Sequence, residues 1–111
     1  MYLRFTSFMM LALLAVAAHA QSSSDYSHGV EFSGNTAMLW FKSNVSTTWV
    51  DAHYVHADTP QQNLRMTWNS GKSRHEQAIV PASQGQSLSY FFTYNNGNLA
   101  YDSPWHEHTI G

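Results

Sequence analysis

The chain lacks cysteine and has few charged residues, and both features limit the class of protein to which it can belong. Among 111 residues there is no cysteine, and Asp, Glu, Lys and Arg together make up 11%. No disulfide can stabilise the fold, although small exported domains commonly depend on disulfides. The five cations form no run and the formal net charge is −2, so the basic footprint that nucleic acid requires is missing. We expect no nucleic-acid partner and favour a neutral polymer over an anionic one.

Long apolar runs are also rare, and the one that stands out lies at the N-terminus. Arg4 precedes an apolar stretch over residues 9–18, which ends in the small residues of Ala18-His19-Ala20. This arrangement is typical of a secretory signal peptide. We predict a signal peptide over residues 1–20 and an exported, extracellular mature chain. The stretch is too short for a membrane span of about 20 residues, so no membrane partner is expected.

The remainder is predicted to be a polar leader followed by one small domain. Residues 21–28 begin with Gln-Ser-Ser-Ser-Asp and are predicted to form a flexible leader. Residues 29–111 contain short alternating segments separated by Gly, Asn and Pro, without a helical period. This pattern predicts an all-β fold, an antiparallel β-sandwich of immunoglobulin-like or jelly-roll-like type with about seven short strands. The segments are 30–32, 37–42, 49–55, 63–68, 75–80, 87–94 and 105–110.

The alternation of apolar residues also predicts which side chains face the core. Successive side chains of a strand point to opposite faces of the sheet. The expected inward stripes are Leu39 and Phe41; Leu64, Met66 and Trp68; and Leu88, Tyr90, Phe92 and Tyr94. Phe91 interrupts this pattern between Ser89 and Thr93, and it either covers an edge or extends a binding face.

One predicted strand presents a polar and aromatic side that is unsuited to burial. If Val50, Ala52 and Tyr54 face the core, the opposite side carries Trp49, Asp51 and His53. Aromatic rings stack on the C–H side of sugar rings, and carboxylate and imidazole groups hydrogen-bond sugar hydroxyls. The pattern therefore favours a carbohydrate-binding surface, although a solvated sheet face would have the same spacing.

Two residues outside this strand are candidates for the same surface. Trp105 follows Pro104, whose ring restricts the backbone and so limits the range of positions that the indole can take. Arg65 is in phase with Asn63 and Thr67 on an outward side, where it either bonds sugar hydroxyls or is merely solvated.

Several blocks of the chain resemble carbohydrate-binding module family 56. They are residues 29–31, 37–42, 50–54, 61–67, 89–94 and 101–105. The resemblance implies a β-sandwich that binds β-1,3-glucan. We expect the partner to be a cell-wall or storage β-1,3-glucan, and we expect no cofactor. The resemblance also places the family's sugar-binding Asp, His and Trp on Asp51, His53 and Trp105. Members are usually attached to glucan-degrading enzymes, whereas we expect this chain to act as a stand-alone, non-catalytic module.

An enzyme is the alternative reading. A glycosidase needs two carboxyl groups flanking a bond, and no motif pairs any of the available ones, which are Asp51, Glu76, Asp102 and Glu107. Cleavage after Ala18 would expose His19 as an N-terminal residue, as copper-dependent polysaccharide oxygenases require. The polar leader that follows would hold such a terminus away from the sandwich, which argues against this alternative.

The spacing of the histidines also suggests a candidate metal site, and one sequon suggests a candidate glycosylation site. His53 and His56, and likewise His106 and His108, have spacings that can ligate zinc or copper. No third ligand is evident for either pair, so we expect no metal requirement. Asn44 begins an Asn-Val-Ser sequon, which would carry a glycan only in a eukaryotic source.

Overall fold

A computed structural model describes residues 25–111, which form nine strands in two antiparallel sheets. The strands are β1 (Tyr26–Ser33), β2 (Thr36–Ser43), β3 (Val50–His56), β4 (Gln62–Arg65), β5 (Thr67–Asn69), β6 (Arg74–Ile79), β7 (Ser87–Asn96), β8 (Leu99–Asp102) and β9 (His106–Thr109). The first sheet has the order β9-β7-β3-β4, with β8 also paired to β7, and the second has the order β1-β2-β6-β5. The predicted all-β sandwich is confirmed.

The predicted signal peptide and His19 lie outside the described residues. Over residues 25–111, no helix has the length and apolar character needed to cross a membrane. Asn44 of the sequon is exposed in the connection between β2 and β3.

The core lies between the sheets and is rich in aromatic rings. β2 and β7 alternate as predicted, and their inward residues are buried: Leu39, Phe41, Leu88, Tyr90, Phe92 and Tyr94. The ring of Phe41 in the second sheet meets that of Phe92 in the first edge-on, with centroids 4.9 Å apart. Tyr26 stacks on Phe41 at 4.8 Å. Such aromatic pairs add stabilisation beyond the area that they bury, which suits a domain without disulfides.

The strand count differs from the predicted seven at two places. The segment predicted as one strand over residues 63–68 crosses from the first sheet to the second at Met66, so it forms β4 and β5. The second place is a hairpin between β7 and β8. Its turn is only Gly97-Asn98, and Gly97 has a φ of 63°, which a two-residue hairpin with glycine at its first position requires.

The predicted core stripe of Leu64, Met66 and Trp68 faces inward as expected, but two of its three side chains are not buried. Leu64 pairs with buried Ala52, and Trp68 pairs with buried His75, so both lie on inward sides. They are nevertheless 40% and 55% exposed, whereas Met66 between them is 4% exposed. β4 and β5 are edge strands of their sheets, and an inward side chain at an edge is covered from one flank only.

The predicted leader is also wrong at its last three residues. β1 begins at Tyr26 and pairs along its whole length with β2. Tyr26 is 8% exposed, and its hydroxyl lies 2.9 Å from Nε2 of His106 on β9. Because an aromatic residue anchors this stretch in the core, residues 26–28 belong to the sandwich. Residues 21–24 lie outside the part of the chain that the structure describes.

Candidate functional site

Two rows of side chains cross the outward side of the first sheet. Strand register places His53 of β3 between Asn63 of β4 and Phe91 of β7. In the next row, Asp51 lies between Arg65 and Thr93, and Thr93 pairs in turn with Asp102 of β8. We call this surface the aromatic face, and its members are Asp51, His53, Asn63, Arg65, Phe91, Thr93, Asp102 and Trp105.

The first row is a continuous series of rings. The imidazole of His53 stacks on Phe91 with centroids 4.3 Å apart and planes 18° from parallel. Phe91 in turn meets Trp105 edge-on at 4.6 Å. Trp105 is 50% exposed, so its indole is partly supported by protein and partly open to solvent. Phe91 joins His53 to Trp105, and the only signal for it in the sequence was its break in the alternation of β7.

His53 is held by hydrogen bonds at both ring nitrogens. Nδ1 lies 2.7 Å from Oδ1 of Asn63, and Nε2 lies 2.8 Å from Oγ1 of Thr93. Thr93 donates its hydroxyl hydrogen to Oδ1 of Asp102 at 2.6 Å. The imidazole is therefore fixed in orientation, and its edge is already occupied by protein partners. Its position suits it to support Phe91 and to order the polar groups beside it.

The second row contains an ion pair beside another tryptophan. Nε of Arg65 donates to Oδ1 of Asp51, and this contact raises the pKa of the guanidinium. The guanidinium carbon lies 5.0 Å from the ring centroid of Trp49, in cation–π geometry. The Arg65 side chain is 61% exposed. Trp49 therefore supports Arg65 more than it offers an open platform. The terminal N–H groups of Arg65 make no hydrogen bond within the described residues.

A buried serine fixes the backbone just before Trp105. Ser103 is 7% exposed, its backbone N–H donates to the carbonyl of Phe92, and its Oγ accepts from the backbone N–H of Phe92 at 2.9 Å. The hydroxyl also donates to the carbonyl of Pro104. Ser103 thus ties the end of β8 to the middle of β7 and sets where Trp105 emerges. Sequence reasoning missed Ser103, because nothing in the pattern distinguishes it from a surface serine.

The structure brings all five predicted site residues to one side of the first sheet. Asp51, His53, Arg65 and Trp105 belong to the aromatic face, and Trp49 lies under Arg65. Their role in binding remains a prediction.

Each predicted histidine pair has at least one member that is engaged in other contacts. Nε2 of His56 lies 2.6 Å from Oε1 of Gln86. His106 stacks on His28 at 3.9 Å and bonds Tyr26. Within residues 25–111, no group of three or more His, Asp or Glu side chains could hold a metal ion.

Comparison with known proteins assigns the chain to a family. The model of carbohydrate binding module family 56 matches residues 28–103. The chain belongs to this family. The match covers both sheets up to the end of β8 and includes every predicted site residue except Trp105, which lies two residues beyond it.

Solved structures agree with this assignment. A crystal structure of a family 56 β-1,3-glucan binding domain is 48% identical, with a TM-score of 0.70 over 76% of this chain and 98% of that one. The family 56 module named BhCBM56, solved as a Br derivative, is 26% identical, with a TM-score of 0.72 over 83% of this chain and 99% of that one.

A larger enzyme contains a similar domain. The laminaripentaose-producing β-1,3-glucanase of glycoside hydrolase family 64 from Paenibacillus barengoltzii, in complex with laminarihexaose, is 48% identical with a TM-score of 0.72. The match covers 76% of this chain but only 20% of that enzyme. This family 56 chain is therefore a carbohydrate-binding module, similar to a domain that also occurs within a glucanase chain.

Proposed function

We propose that this carbohydrate-binding module is exported and binds β-1,3-glucan on its aromatic face without cleaving it. The observation that carries the proposal is the half-exposed indole of Trp105, which is fixed against Phe91 and lies beside a row of polar groups. An exposed, supported aromatic ring next to oriented hydrogen-bonding groups matches the two chemical sides of a pyranose. The β-1,3 linkage is supported by the domains to which the chain is similar.

The face is organised before a ligand arrives. His53, Thr93 and Asp102 form a bonded series, and Arg65 is held by Asp51 and Trp49. Binding then requires little further ordering of side chains, and that lost freedom is a main cost of association. The remaining carboxylate oxygens accept from sugar hydroxyls, and the remaining guanidinium N–H groups donate to them. The rings remove apolar C–H surface from water.

The placement of the carboxylates supports a role in binding rather than hydrolysis. Glu76 lies on the second sheet, paired to β2 and β5, and so cannot share a site with the other three candidates. Asp51, Asp102 and Glu107 are bonded to Arg65, Thr93 and Ser89 respectively. A glycosidase uses two carboxyl groups across the scissile bond, one of them as a proton donor, and these three instead serve as acceptors along a sheet face.

Export is proposed from the N-terminal pattern of residues 1–20. Expression of the full chain, followed by intact-mass analysis of the culture medium, tests it. The expected mass corresponds to a chain that begins at Gln21. A chain that begins at His19 would revive the oxygenase alternative, and retention of residues 1–20 would contradict export.

Binding is tested by depletion of the purified protein with insoluble curdlan, beside cellulose and chitin. We expect saturable loss from solution with curdlan only, and no rise in reducing ends during prolonged incubation. Retention on cellulose but not on curdlan would overturn the ligand, and accumulating reducing ends would overturn the non-catalytic claim. Chelator treatment should leave the binding isotherm unchanged, and recovery by one added metal after a loss would contradict a metal-independent site.

A further inference from the structure

A second aromatic site lies around the edge of the sandwich from the aromatic face. Thr47, Thr48, Trp68 and His75 line a cavity of about 360 Å³, which we call the Trp68 pocket. Its volume falls in the range of roughly 300 to 1,000 Å³ that is typical of small-ligand sites. Trp68 is 55% exposed, although it lies on an inward side of β5. The pocket therefore offers a large indole surface inside a concavity.

His75, which lines this pocket, carries a buried polar atom without a partner. His75 is 5% exposed, and its Nδ1 makes no hydrogen bond to any described residue. Its ring lies between Phe41 of the core, at 6.5 Å, and Trp68, at 4.9 Å. Burial of an unpaired polar group costs about 1 to 3 kcal/mol, so most such groups are satisfied. Nδ1 is closed to solvent, so a ligand hydroxyl would relieve this cost only if the half-exposed Trp68 ring shifted to uncover it.

The opposite wall of the pocket is rigid and keeps one donor free. Oδ1 of Asn95 accepts from the backbone N–H groups of Thr48, at 2.8 Å, and Trp49, at 3.1 Å. Nδ2 of Asn95 donates to Oγ1 of Thr48 at 3.1 Å, and the Thr47 hydroxyl donates to the carbonyl of Asn95. Since Oγ1 of Thr48 acts as the acceptor in its bond, its own hydrogen remains available to a ligand.

We infer that the Trp68 pocket is a second sugar subsite, which takes a pyranose residue of the same glucan; the inference rests on the proposed function for its ligand class. The indole of Trp68 provides the stacking surface, the Thr48 hydroxyl donates, and Nδ1 of His75 bonds a sugar hydroxyl once the Trp68 ring shifts to uncover it. A concave pocket suits a single residue or a chain end, whereas the aromatic face is a surface that a longer chain can cross.

The position of the pocket makes the module bivalent. Trp49 supports Arg65 of the aromatic face and directly follows Thr48 of the pocket wall. The two sites therefore flank one short segment of chain. Two strands of a polymer, or two parts of one strand, can be held at once, which raises the retention on an insoluble glucan without new contacts at either site.

The test follows the indole N–H signals by NMR during titration with laminarihexaose. It uses the wild type and a Trp105→Ala variant, in which the aromatic face is impaired. We expect the Trp68 signal to shift in both proteins. The dissociation constant of laminarihexaose that is fitted to this shift should differ less than threefold between the wild type and the variant. A Trp68 signal that stays unchanged to the highest soluble ligand concentration in both proteins would overturn the inference. If the Trp105 signal of the wild type still shifted in that case, glucan binding on the aromatic face would be supported and only the pocket inference would fail.

Two variants separate ligand binding at the pocket from a structural role. His75→Phe removes Nδ1 but keeps a ring between Phe41 and Trp68, so the variant should fold. We expect the laminarihexaose affinity that the Trp68 signal reports to fall by about tenfold. Trp68→Ala should lower the capacity of curdlan depletion and leave the Trp105 transition unchanged. Hexaose affinity at Trp68 that is unaltered in His75→Phe, together with full curdlan retention in Trp68→Ala, would show that the pocket binds no sugar.

Discussion

The outward sides of the two sheets carry the same residue types but differ in how far these are satisfied. On the first sheet, the Arg65 guanidinium lies 5.0 Å from the centroid of Trp49 and pairs with Asp51. On the second, the Arg74 guanidinium lies 5.1 Å from the centroid of Trp40. A spatial group of tryptophan, arginine and carboxylate therefore occurs on both sheets, and only the surroundings distinguish the two sites.

Those surroundings close the second site. Arg74 donates from Nη1 and Nη2 to both oxygens of Glu31, and from Nε to Glu76 at 2.7 Å. Its side chain is 9% exposed, against 61% for Arg65. Trp40 also lies flat over Gly29, where an added Cβ would come within 2.9 Å of the ring. The comparison teaches that unpaired hydrogen-bonding groups and open ring surface, and not residue type, distinguish the proposed binding face from the second sheet.

The largest effect should come from exchanging the two arginines for alanine. Arg74→Ala leaves Glu31 and Glu76 without their partner. It should lower the free energy of unfolding by about 2 kcal/mol, because Arg74 and Glu76 are largely buried whereas Glu31 is half exposed. Arg65→Ala should change stability much less, since its pair is exposed, but should weaken glucan binding. Urea unfolding and curdlan depletion of both variants measure this. Equal stability losses would erase the contrast between the two faces.

The next effect concerns the tryptophans. Trp105→Ala removes the open ring of the aromatic face and should weaken binding by about 2 kcal/mol, which is about 30-fold. Trp40→Ala on the second sheet is the matched control and should leave the affinity for laminarihexaose unchanged. Calorimetric titration gives both affinities, and circular dichroism verifies the fold. Normal binding by folded Trp105→Ala would place the site elsewhere.

Smaller losses are expected from the polar residues behind the rings. His53→Ala removes the support under Phe91 and frees Asn63 and Thr93, and Asp51→Ala releases Arg65. Each should weaken binding by about 1 to 2 kcal/mol through misplaced or unpaired groups. Tyr54→Ala, from the inward side of the same strand, is the control and should lower the melting temperature through lost core packing. If His53→Ala lowered the melting temperature as much as Tyr54→Ala, its role would be structural.

The smallest predicted effect is on stability at acidic pH, and it arises away from both faces. Burial, with a further contribution from His106, lowers the pKa of His28 from 6.5 to about 4. A histidine with a depressed pKa in the folded state stabilises the fold fully above pH 6.5, and this contribution is lost as the pH falls from 6.5 towards 4. We expect a loss of about 1 kcal/mol between pH 7 and pH 4.5, because His28 is only partly buried.

His28→Asn tests the origin of this pH dependence. An asparagine amide can replace Nδ1 of His28 beside the Tyr90 hydroxyl, at 2.7 Å in the native protein, without titrating. Urea unfolding at several pH values should give a flatter profile for the variant. The remaining slope would come from His75 and His106, whose pKa values burial also lowers, and from Glu31 and Glu76, whose pKa values are lowered beside Arg74. An unchanged slope would show that His28 does not contribute.

Sequence alone predicted well to which side of a sheet a side chain points, and it predicted poorly how deeply that side chain is buried. Alternation correctly placed Asp51 and His53 opposite Val50 and Ala52, because the two-residue period of a strand is a local property. The exposure of Trp68 depends on β5 lying at a sheet edge, which is set by pairings distant in the chain. The five predicted site residues lie on one side, but the bonds that fill the nitrogens of His53 come from two neighbouring strands and were not predictable.

The most direct test of the central claim is the indole N–H signal of Trp105 during titration with laminarihexaose, with cellohexaose as the control ligand. Because the chain has four tryptophans, each indole reports on its own part of the surface. The account predicts a saturable shift of the Trp105 signal with laminarihexaose, little shift with cellohexaose, and a Trp40 signal that stays in place. A Trp105 signal unchanged by laminarihexaose while the Trp40 signal moves would contradict it.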